Sequence, residues 1–444
     1  MLNLMKISLT LFVLSFFSVS AFAINGMYMD GQGARSMGMG AASIAVVNDS
    51  TAIFSNPSAI AFNKGGMVDL NVDILIPAPS FKNKHNPATK SGRDLVVGVP
   101  AGGFYNTKEI YGDYRLGYGF GFFPAAGLAS EYQLNNPLYN EQVYESEAGL
   151  FKILPAVALQ VNNFSIGVSA GPAYQNMQMA LPFTAQEGSL AGFIMLADMR
   201  ASGFGWTANV GALYKLGDLQ IGVTYKSETK IDISGDARLD MYAQNDAAVA
   251  LGLLPAGAVT DPTANYDVDI TFRWPQTFGF GVSYKPIKKL VVAIDFEWID
   301  WSSVMDKIKV DFTNGSNAEI SDLAGGDSIS DYIPAEWDDQ YVIRGGVEYQ
   351  VRDDLKLRTG LIYAKSPIPD DTLIPILCVI TELSATIGLG YTIAENSEFD
   401  FAFQYSFNHK QKYIGRDHKV SSEYDYSATD LTLYVIHIGM KQKF

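Results

Sequence analysis

The chain is poor in cysteine, histidine and charge. It has one cysteine, Cys378, and four histidines in 444 residues. A single cysteine excludes an internal disulfide and the paired thiolates of the usual zinc sites, so no metal or other cofactor is expected. Charged residues make up only 18%, and the net charge is −15. Because a phosphate backbone attracts clustered Lys and Arg, this balance argues against nucleic acid as a partner.

Beyond residue 23 the chain also lacks an uncharged apolar run of about 18 residues, which argues against a membrane-spanning helix. Residues 1–23 are predicted to be a signal peptide, with Lys6 as the positive start and residues 21–23 as the small-x-small cleavage site. The mature chain is then expected to begin at Ile24. An exported protein without a spanning helix can cross a membrane only with strands.

The strand signal is a two-residue alternation. It is cleanest from Phe399 to Phe407, where aromatic residues alternate with small or polar ones. Successive side chains of a strand point to opposite faces, so one face is aromatic. A soluble β-sandwich could bury such a face in its core. Segments of about ten or more residues with aromatic ends instead favour the lipid-facing band of an outer-membrane barrel.

Long and short connections alternate along the chain, as in outer-membrane barrels with long outer loops and tight periplasmic turns. Long links are predicted near residues 77–93, 124–149, 179–203, 235–266, 303–337, 366–382 and 410–428. Counting the strands between them predicts an all-β fold, a transmembrane antiparallel barrel of about fourteen strands spanning residues 66–444.

Residues 24–65 are predicted to form a hatch, a plug in the barrel lumen. The stretch from Gly26 to Phe62 is rich in Gly, Ala and Ser, nearly uncharged, and without a sustained period. Alone it cannot bury enough apolar surface to fold. The alternative is a flexible surface linker.

Several motifs follow one another in a recognisable order. The hatch contains Gly33-Ala34-Arg35, Met37-Gly38-Met39-Gly40-Ala41, Asn48-Asp49-Ser50 and Asn56-Pro57. The barrel contains Trp274–Thr277, Asp295–Ser302, Trp337–Tyr349 and Arg358–Asp371. Together these resemble the long-chain fatty acid outer-membrane transporters, the FadL family (OMPP1/FadL/TodX). The family usually reads Asn-Pro-Ala where this chain has Asn56-Pro57-Ser58.

The resemblance implies an outer-membrane transporter for the passive uptake of fatty acids, aromatic hydrocarbons or similar hydrophobic molecules. It implies capture in an extracellular groove, a lumen site above the hatch, and lateral release through the wall. The expected partners are the hydrophobic ligand, outer-membrane lipid, lipopolysaccharide and the barrel assembly machinery, with the barrel a monomer. Which hydrophobic molecule is carried stays open.

Two predicted outer loops are unusually apolar, at residues 181–199 and 241–259. Apolar loops facing water are unfavourable unless they pack together or bind a hydrophobic ligand, and both alternatives stand. The candidate groove residues are Leu181, Phe183, Phe193, Ile194, Leu196, Met199, Met241, Leu251 and Leu254.

Charged residues fall on the lumen parity of three successive strands, because Arg or Lys facing lipid near the midplane would cost roughly 2–4 kcal/mol. Among them, Arg344 and Arg358 are candidates to hold a ligand carboxylate. The alternative is a ladder of structural ion pairs that braces the wall. In the hatch, Asn56 and Pro57 are predicted to form a tight turn against the wall.

The third strand has an irregularity from Pro124 to Gly127. Proline and glycine are tolerated in a barrel wall at a bulge or an edge. The family resemblance implies a kink here that opens the wall sideways. The alternative is that the strand ends at Phe123.

No arrangement of residues predicts catalysis. His85, His409 and His418 lie in or beside predicted outer loops, and His437 has lumen parity near Asp400. An outer-membrane phospholipase or protease would need a His paired with a carboxylate or Ser and aimed at substrate. That reading, and a structural or adhesive barrel with polar outer loops, are the alternatives to a transporter.

Overall fold

The computed structural model describes residues 25–46, 48–93, 95–112, 114–251, 255, 257 and 259–444. The predicted signal peptide, Ile24 and the candidate Leu254 lie outside this part of the chain. Within the described part, no helix has both the length and the apolar character needed to cross a membrane.

Fourteen antiparallel strands form a closed barrel. The first strand pairs with the last, from Met67 opposite Lys443 to Lys82 opposite Ala428, which closes the ring and leaves no open edge there. The strands are β1 Met67–Lys82, β2 Ala101–Tyr111, β3 Tyr114–Asn136, β4 Asn140–Val161, β5 Phe164–Thr184, β6 Ile194–Leu216, β7 Leu219–Lys226 with Thr229–Asp240, β8 Thr263–Trp274 with Thr277–Ile287, β9 Leu290–Ile299 with Lys307–Thr313, β10 Ile329–Pro334 with Gln340–Arg352, β11 Leu355–Ala364, β12 Leu383–Ala394, β13 Ser397–Lys412 and β14 Ala428–Lys443.

Short strands at Thr89–Lys90 and Val96–Val97 pair with β1 between β1 and β2. The helices among the described residues are α1 Ala34–Gly38, α2 Ala52–Ser55, α3 Ala59–Phe62, α4 Tyr242–Ala250 and α5 Ala318–Ala324, with 3₁₀ turns at Pro375–Leu377 and Ser422–Tyr424. The predicted apolar outer loop 241–259 therefore begins with a helix, Tyr242–Ala250.

The hatch lies inside the barrel. α1 packs on β11 to β14, whereas α3 packs on β3, β4 and β5 on the other side of the ring. The segment therefore crosses the lumen from one wall to the other. Its apolar side chains join the buried core, although the segment could not fold by itself.

The two-residue alternation is confirmed on β13. Asp400 and Gln404 are buried toward the lumen, and Phe401, Phe403 and Tyr405, which have the other parity, are partly exposed on the outer face. The same face continues around the ring as an exposed apolar band that includes Phe278, Ile294, Ile343, Leu361 and Ile387. Such a band is the surface that a barrel presents to lipid.

The strands run much further than their sequence pattern predicted. Residues 124–149, expected to be an outer link, belong almost entirely to β3 and β4, which pair up to Asn136 opposite Asn140. Likewise β5 reaches Thr184 and β6 begins at Ile194, so most of the predicted loop 179–203 is a hairpin. The error arises because the outer ends of these strands carry mixed polar and apolar residues, which hides the alternation.

Candidate functional site

The Asn56-Pro57 turn ties the hatch to the wall. The Asn56 Nδ2 atom donates to the carbonyl oxygens of Ile44, at 2.8 Å, and Ala212 on β6, at 3.3 Å. Its Oδ1 accepts from the Ser58 hydroxyl at 2.6 Å. One buried side chain therefore joins two parts of the hatch and one wall strand.

The wall makes room for this turn by omitting side chains. A Cβ atom on Gly211 would collide with the Asn56 amide, and one on Gly360 would collide with the hatch backbone at Gly40. Only glycine permits such a close approach of backbone to backbone. These glycines therefore mark the places where the hatch passes closest to the wall backbone.

Wall side chains also satisfy hatch backbone groups. The Asp295 carboxylate accepts from the backbone N–H of Ser43 at 2.6 Å and of Ile44 at 2.9 Å. Asp69 accepts from the Ser50 N–H at 2.6 Å. Because the hatch has little regular structure, its buried N–H groups need such partners from elsewhere.

Arg358 is the centre of a buried ion-pair network. Its three guanidinium nitrogens pair with Glu348 at 2.7 Å, Asp400 at 2.6 Å and Glu398 at 3.3 Å. Glu348 also pairs with Arg35 of the hatch at 3.2 Å. The network thus links α1 to β10, β11 and β13. This geometry favours the structural alternative over a role for Arg358 in holding a ligand.

Arg344 has a different setting. Its Nη1 pairs with Glu297 at 2.7 Å, but its buried Nε has no hydrogen-bond partner among the described residues. It lines a cavity of about 40 Å³ between hatch and wall, together with Asp30, Lys152 and Glu297. Of the two candidate arginines, Arg344 is therefore the one that faces open space.

Sequence reasoning missed Lys152 and the ion pair made by Arg35. Lys152 is buried with its Nζ donating to Thr207 at 3.1 Å, and Arg35 joins the hatch to the network. A lysine with lumen parity in an otherwise apolar stretch of β4 could have been recognised from the sequence as a candidate site residue. His437 has lumen parity as expected and lies opposite Ala402, two positions from Asp400 on β13, and its Nδ1 is 2.7 Å from Asp73 on β1.

β3 continues without a break through its Pro-Gly segment, so the alternative that the strand ends at Phe123 is wrong. Its register against β4 shifts between Pro124 and Ala126, which is a bulge. An extra residue at a bulge reverses the alternation, so Phe123 below it and Leu128 above it both belong to the buried core. The sequence located this irregularity, although it did not reveal its form.

At the bulge, the hatch forms the backbone hydrogen bonds that a neighbouring wall strand would otherwise form. The ladder between β2 and β3 ends at Gly102 opposite Phe122. Beyond it, the carbonyl of Ala125 accepts from the Met29 N–H at 3.1 Å, and the Gly127 N–H donates to the Met27 carbonyl at 3.0 Å. Backbone groups in a membrane wall must be paired, and here the hatch pairs them.

Apolar side chains fill the outer half of the lumen, a region that we call the outer chamber. Leu181, Phe183, Met199 and Met241 are buried in it, and Phe193 packs at its edge. Neighbouring inward-facing side chains complete the lining, among them Met177, Met179, Met195, Ile231, Ile233 and Leu239. Methionine-rich linings adapt to ligands of different shape, because the side chain is flexible and polarizable.

Three other groove candidates lie elsewhere. Ile194 and Leu196 alternate with the buried Met195 and so lie on the opposite face of β6. Leu251 is 75% exposed at the end of α4. β6 carries apolar residues on both faces. Without the pairing register, the sequence could not show which of them face the lumen.

No group of three or more His, Cys, Asp or Glu side chains suited to a metal ion occurs in the described ranges. A closed barrel with a hatch in its lumen, a lipid-facing band and an apolar outer chamber defines a plugged outer-membrane barrel. The chain belongs to the outer membrane protein transport protein family (OMPP1/FadL/TodX), whose model matches residues 11–444. The resemblance in the motifs is confirmed. The protein is thus an outer-membrane protein of a family of transporters of hydrophobic compounds.

Two curated relatives are similar to this chain in sequence. It is 23% identical over 415 residues to the putative outer membrane protein NMB0088 of Neisseria meningitidis serogroup B, covering 87% of each. It is 25% identical over 212 residues to the long-chain fatty acid transport protein of Escherichia coli, covering 48% of this chain and 44% of that one.

Among solved structures, the toluene transporter TodX of P. putida aligns with a TM-score of 0.72 at 21% identity, covering 94% of this chain and 99% of that one. The toluene transporter TbuX of Ralstonia pickettii aligns with a TM-score of 0.70 at 19% identity, covering 94% and 99%. At these identities the structural likeness concerns the fold.

Proposed function

We propose that this protein carries long-chain fatty acids or aromatic hydrocarbons passively across the outer membrane. Family membership and the apolar outer chamber support this proposal. For an apolar solute, the barrier to entry is the polar lipopolysaccharide layer rather than the hydrocarbon of the membrane. A protein that shields the solute through that layer needs no energy source. An adhesive or structural barrel would not need Leu181, Phe183 and Met199 facing its lumen.

In the proposed path, the ligand enters the apolar chamber and moves inward to the cavity beside Arg344. It then leaves sideways between β2 and β3. Residues 24–65 act as the hatch and residues 66–444 as the barrel. The ligand exchanges with outer-membrane lipid, and a monomeric barrel inserted by the assembly machinery is sufficient.

The hydrogen bonding at the bulge is the observation that supports a lateral exit. Ala125 and Gly127 bond to hatch residues 27 and 29 rather than to a neighbouring wall strand. Withdrawing this short segment would open the wall without breaking any strand ladder. By contrast, moving the hatch aside for an exit through the floor would break the ion pair between Arg35 and Glu348.

The test is uptake of radiolabelled palmitate and of toluene by cells that display the protein at equal amounts. Filling the bulge with Ala126→Trp or Gly127→Val should abolish most uptake while the barrel still folds. Gly345→Val is the matched control, since a Cβ atom on Gly345 meets nothing within 4 Å. Normal uptake by both filled variants would show that release runs through the hatch instead.

A further inference from the structure

The connection between β11 and β12 is not a surface loop. Its middle, the segment Leu373–Ile380, runs Leu-Ile-Pro-Ile-Leu-Cys-Val-Ile, and each of these side chains is buried. Its apolar members belong to the same core as the wall residues of the outer chamber. We call this segment the outer cap.

The outer cap crosses the mouth of the barrel. It starts and ends on β11 and β12, but its 3₁₀ turn at Pro375–Leu377 packs against β3 and β4. In a ring of fourteen strands these two pairs stand far apart, so the segment must pass over the lumen. The Ser146 hydroxyl on β4 donates to the Ile376 carbonyl at 2.6 Å and marks the far contact.

Few directed bonds hold the cap at its near end. His418 Nε2 lies 3.2 Å from the Leu373 carbonyl oxygen, and the Thr372 hydroxyl donates to the Ala335 carbonyl at 2.7 Å. The rest of the contact is apolar packing, which is non-directional. A segment held in this way can leave as a unit once its packing is replaced.

We propose that the outer cap occupies the place of the hydrophobic ligand in the outer chamber, and that an incoming apolar ligand displaces it. This inference rests on the proposed transport function. The cap is then an intramolecular competitor, and the chamber is a ligand site that the chain itself fills at rest.

The free energy of displacing the cap depends on what replaces it. Opening the chamber to water would expose the cap and the chamber lining together, which the hydrophobic effect opposes. Opening it to an apolar ligand keeps the lining buried and removes the ligand from water as well. Displacement is therefore coupled to the presence of an apolar ligand, and polar solutes meet a closed barrel.

The chain carries its own reporter of this change. Cys378, the single cysteine in the sequence, is 4% exposed in the cap, with its Sγ 3.9 Å from the Tyr132 hydroxyl. Burial raises the pKa of this thiol to about 11, which adds to its protection. A buried thiol reacts only through opening, so its labelling rate measures how often the cap leaves.

The first experiment labels the native protein, in outer-membrane vesicles, with a small membrane-impermeant thiol reagent. Palmitate or toluene should raise the labelling rate of Cys378 about tenfold or more. As a control, Cys378→Ser with Ile414→Cys places the thiol at a position that is 81% exposed. That thiol should react rapidly with or without ligand.

Radiolabelled palmitate and toluene binding are measured on the same vesicles. Binding with an unchanged Cys378 labelling rate would overturn the cap proposal and leave the transport proposal standing. Absence of binding of both probes would overturn both proposals. The two failures are therefore distinguishable.

A second experiment loosens the cap without ligand. Ser146→Ala removes the bond to Ile376 and should raise Cys378 labelling about tenfold, the usual scale for one lost buried hydrogen bond. The matched control is Ser384→Ala, whose hydroxyl is equally buried but bonds to Ser406 in the wall at 2.8 Å. Equal rates in the two variants would count against a cap held at Ser146.

Discussion

The hatch and the outer cap, the two segments that fill this barrel, are held in place by different kinds of contact. The hatch adds ion pairs and directed hydrogen bonds to its apolar packing, among them Arg35 with Glu348 and Ser43 with Asp295. The outer cap, residues 373–380, is held chiefly by apolar packing. A polar network defines one position and tolerates little drift, whereas apolar packing can be exchanged for another apolar surface. We infer that the hatch sets the resting geometry and that the cap responds to the ligand.

The largest effect should come from breaking the network under the hatch. Arg358→Met leaves Glu348, Glu398 and Asp400 without their shared cation, and removing one member of a buried pair costs about 3–5 kcal/mol. We expect a markedly lower barrel melting temperature by circular dichroism. Arg352→Met is the control, since Arg352 pairs with Asp354 at the exposed surface. Equal melting temperatures for the two variants would show that the network contributes nothing.

The next effect concerns the pH response of the outer surface. Glu423 accepts from the Tyr144 hydroxyl at 2.8 Å and is also bonded to Asn136. Burial raises the pKa of Glu423 to about 7, so the packed loop favours its neutral form. The stabilisation is complete below pH 4.5 and is lost as the pH rises through 7, by about 3 kcal/mol at most.

Hydrogen exchange of residues 413–427 should therefore quicken between pH 5 and 8, after correction for the intrinsic rate. Glu423→Gln, which is neutral at every pH, should flatten this dependence. His418 acts in the opposite sense, because burial lowers its pKa to about 4 and its contribution is lost as the pH falls from 6.5 to 4. A profile unchanged by Glu423→Gln would assign the response to other groups.

A smaller effect is expected at the hatch turn. Asn56→Ala removes the bonds to Ile44, Ala212 and Ser58, leaving buried groups unpaired at a cost of about 1–3 kcal/mol. The barrel should assemble normally while palmitate uptake falls and the hatch becomes easier to cleave with protease. Full uptake at equal surface amounts would contradict a role for this turn.

The smallest expected effect is the difference in ligand binding between a residue that lines the outer chamber and an apolar residue at the surface. Leu181→Ser should lower palmitate binding, because this side chain faces the apolar chamber. Leu251→Ser should change binding and stability by less than about 0.5 kcal/mol, since the residue is a surface position. If the two variants bind palmitate equally, the inward face of β5 is not the ligand surface.

Much of this molecule was readable from the sequence. The alternation on β13, the even strand count, the hatch motifs and the irregularity at Pro124 each depend on local pattern. The candidate site was only partly readable. Leu181, Phe183 and Met199 do line the chamber, but Ile194 and Leu196 point away from it. Their sequence neighbourhood is equally apolar, so composition could not separate them.

The sequence by itself determined the barrel, because a two-residue period and turn chemistry are local properties of a strand. It also predicted a plug in the segment from Gly26 to Phe62, because this glycine-rich stretch cannot bury enough apolar surface to fold alone. Only the tertiary structure decided that Arg358 belongs to the wall, that the hatch completes β3 at its bulge, and that residues 373–380 fill the mouth. Each of these depends on contacts between residues far apart in the chain, and such contacts follow from register and ring closure rather than from local pattern.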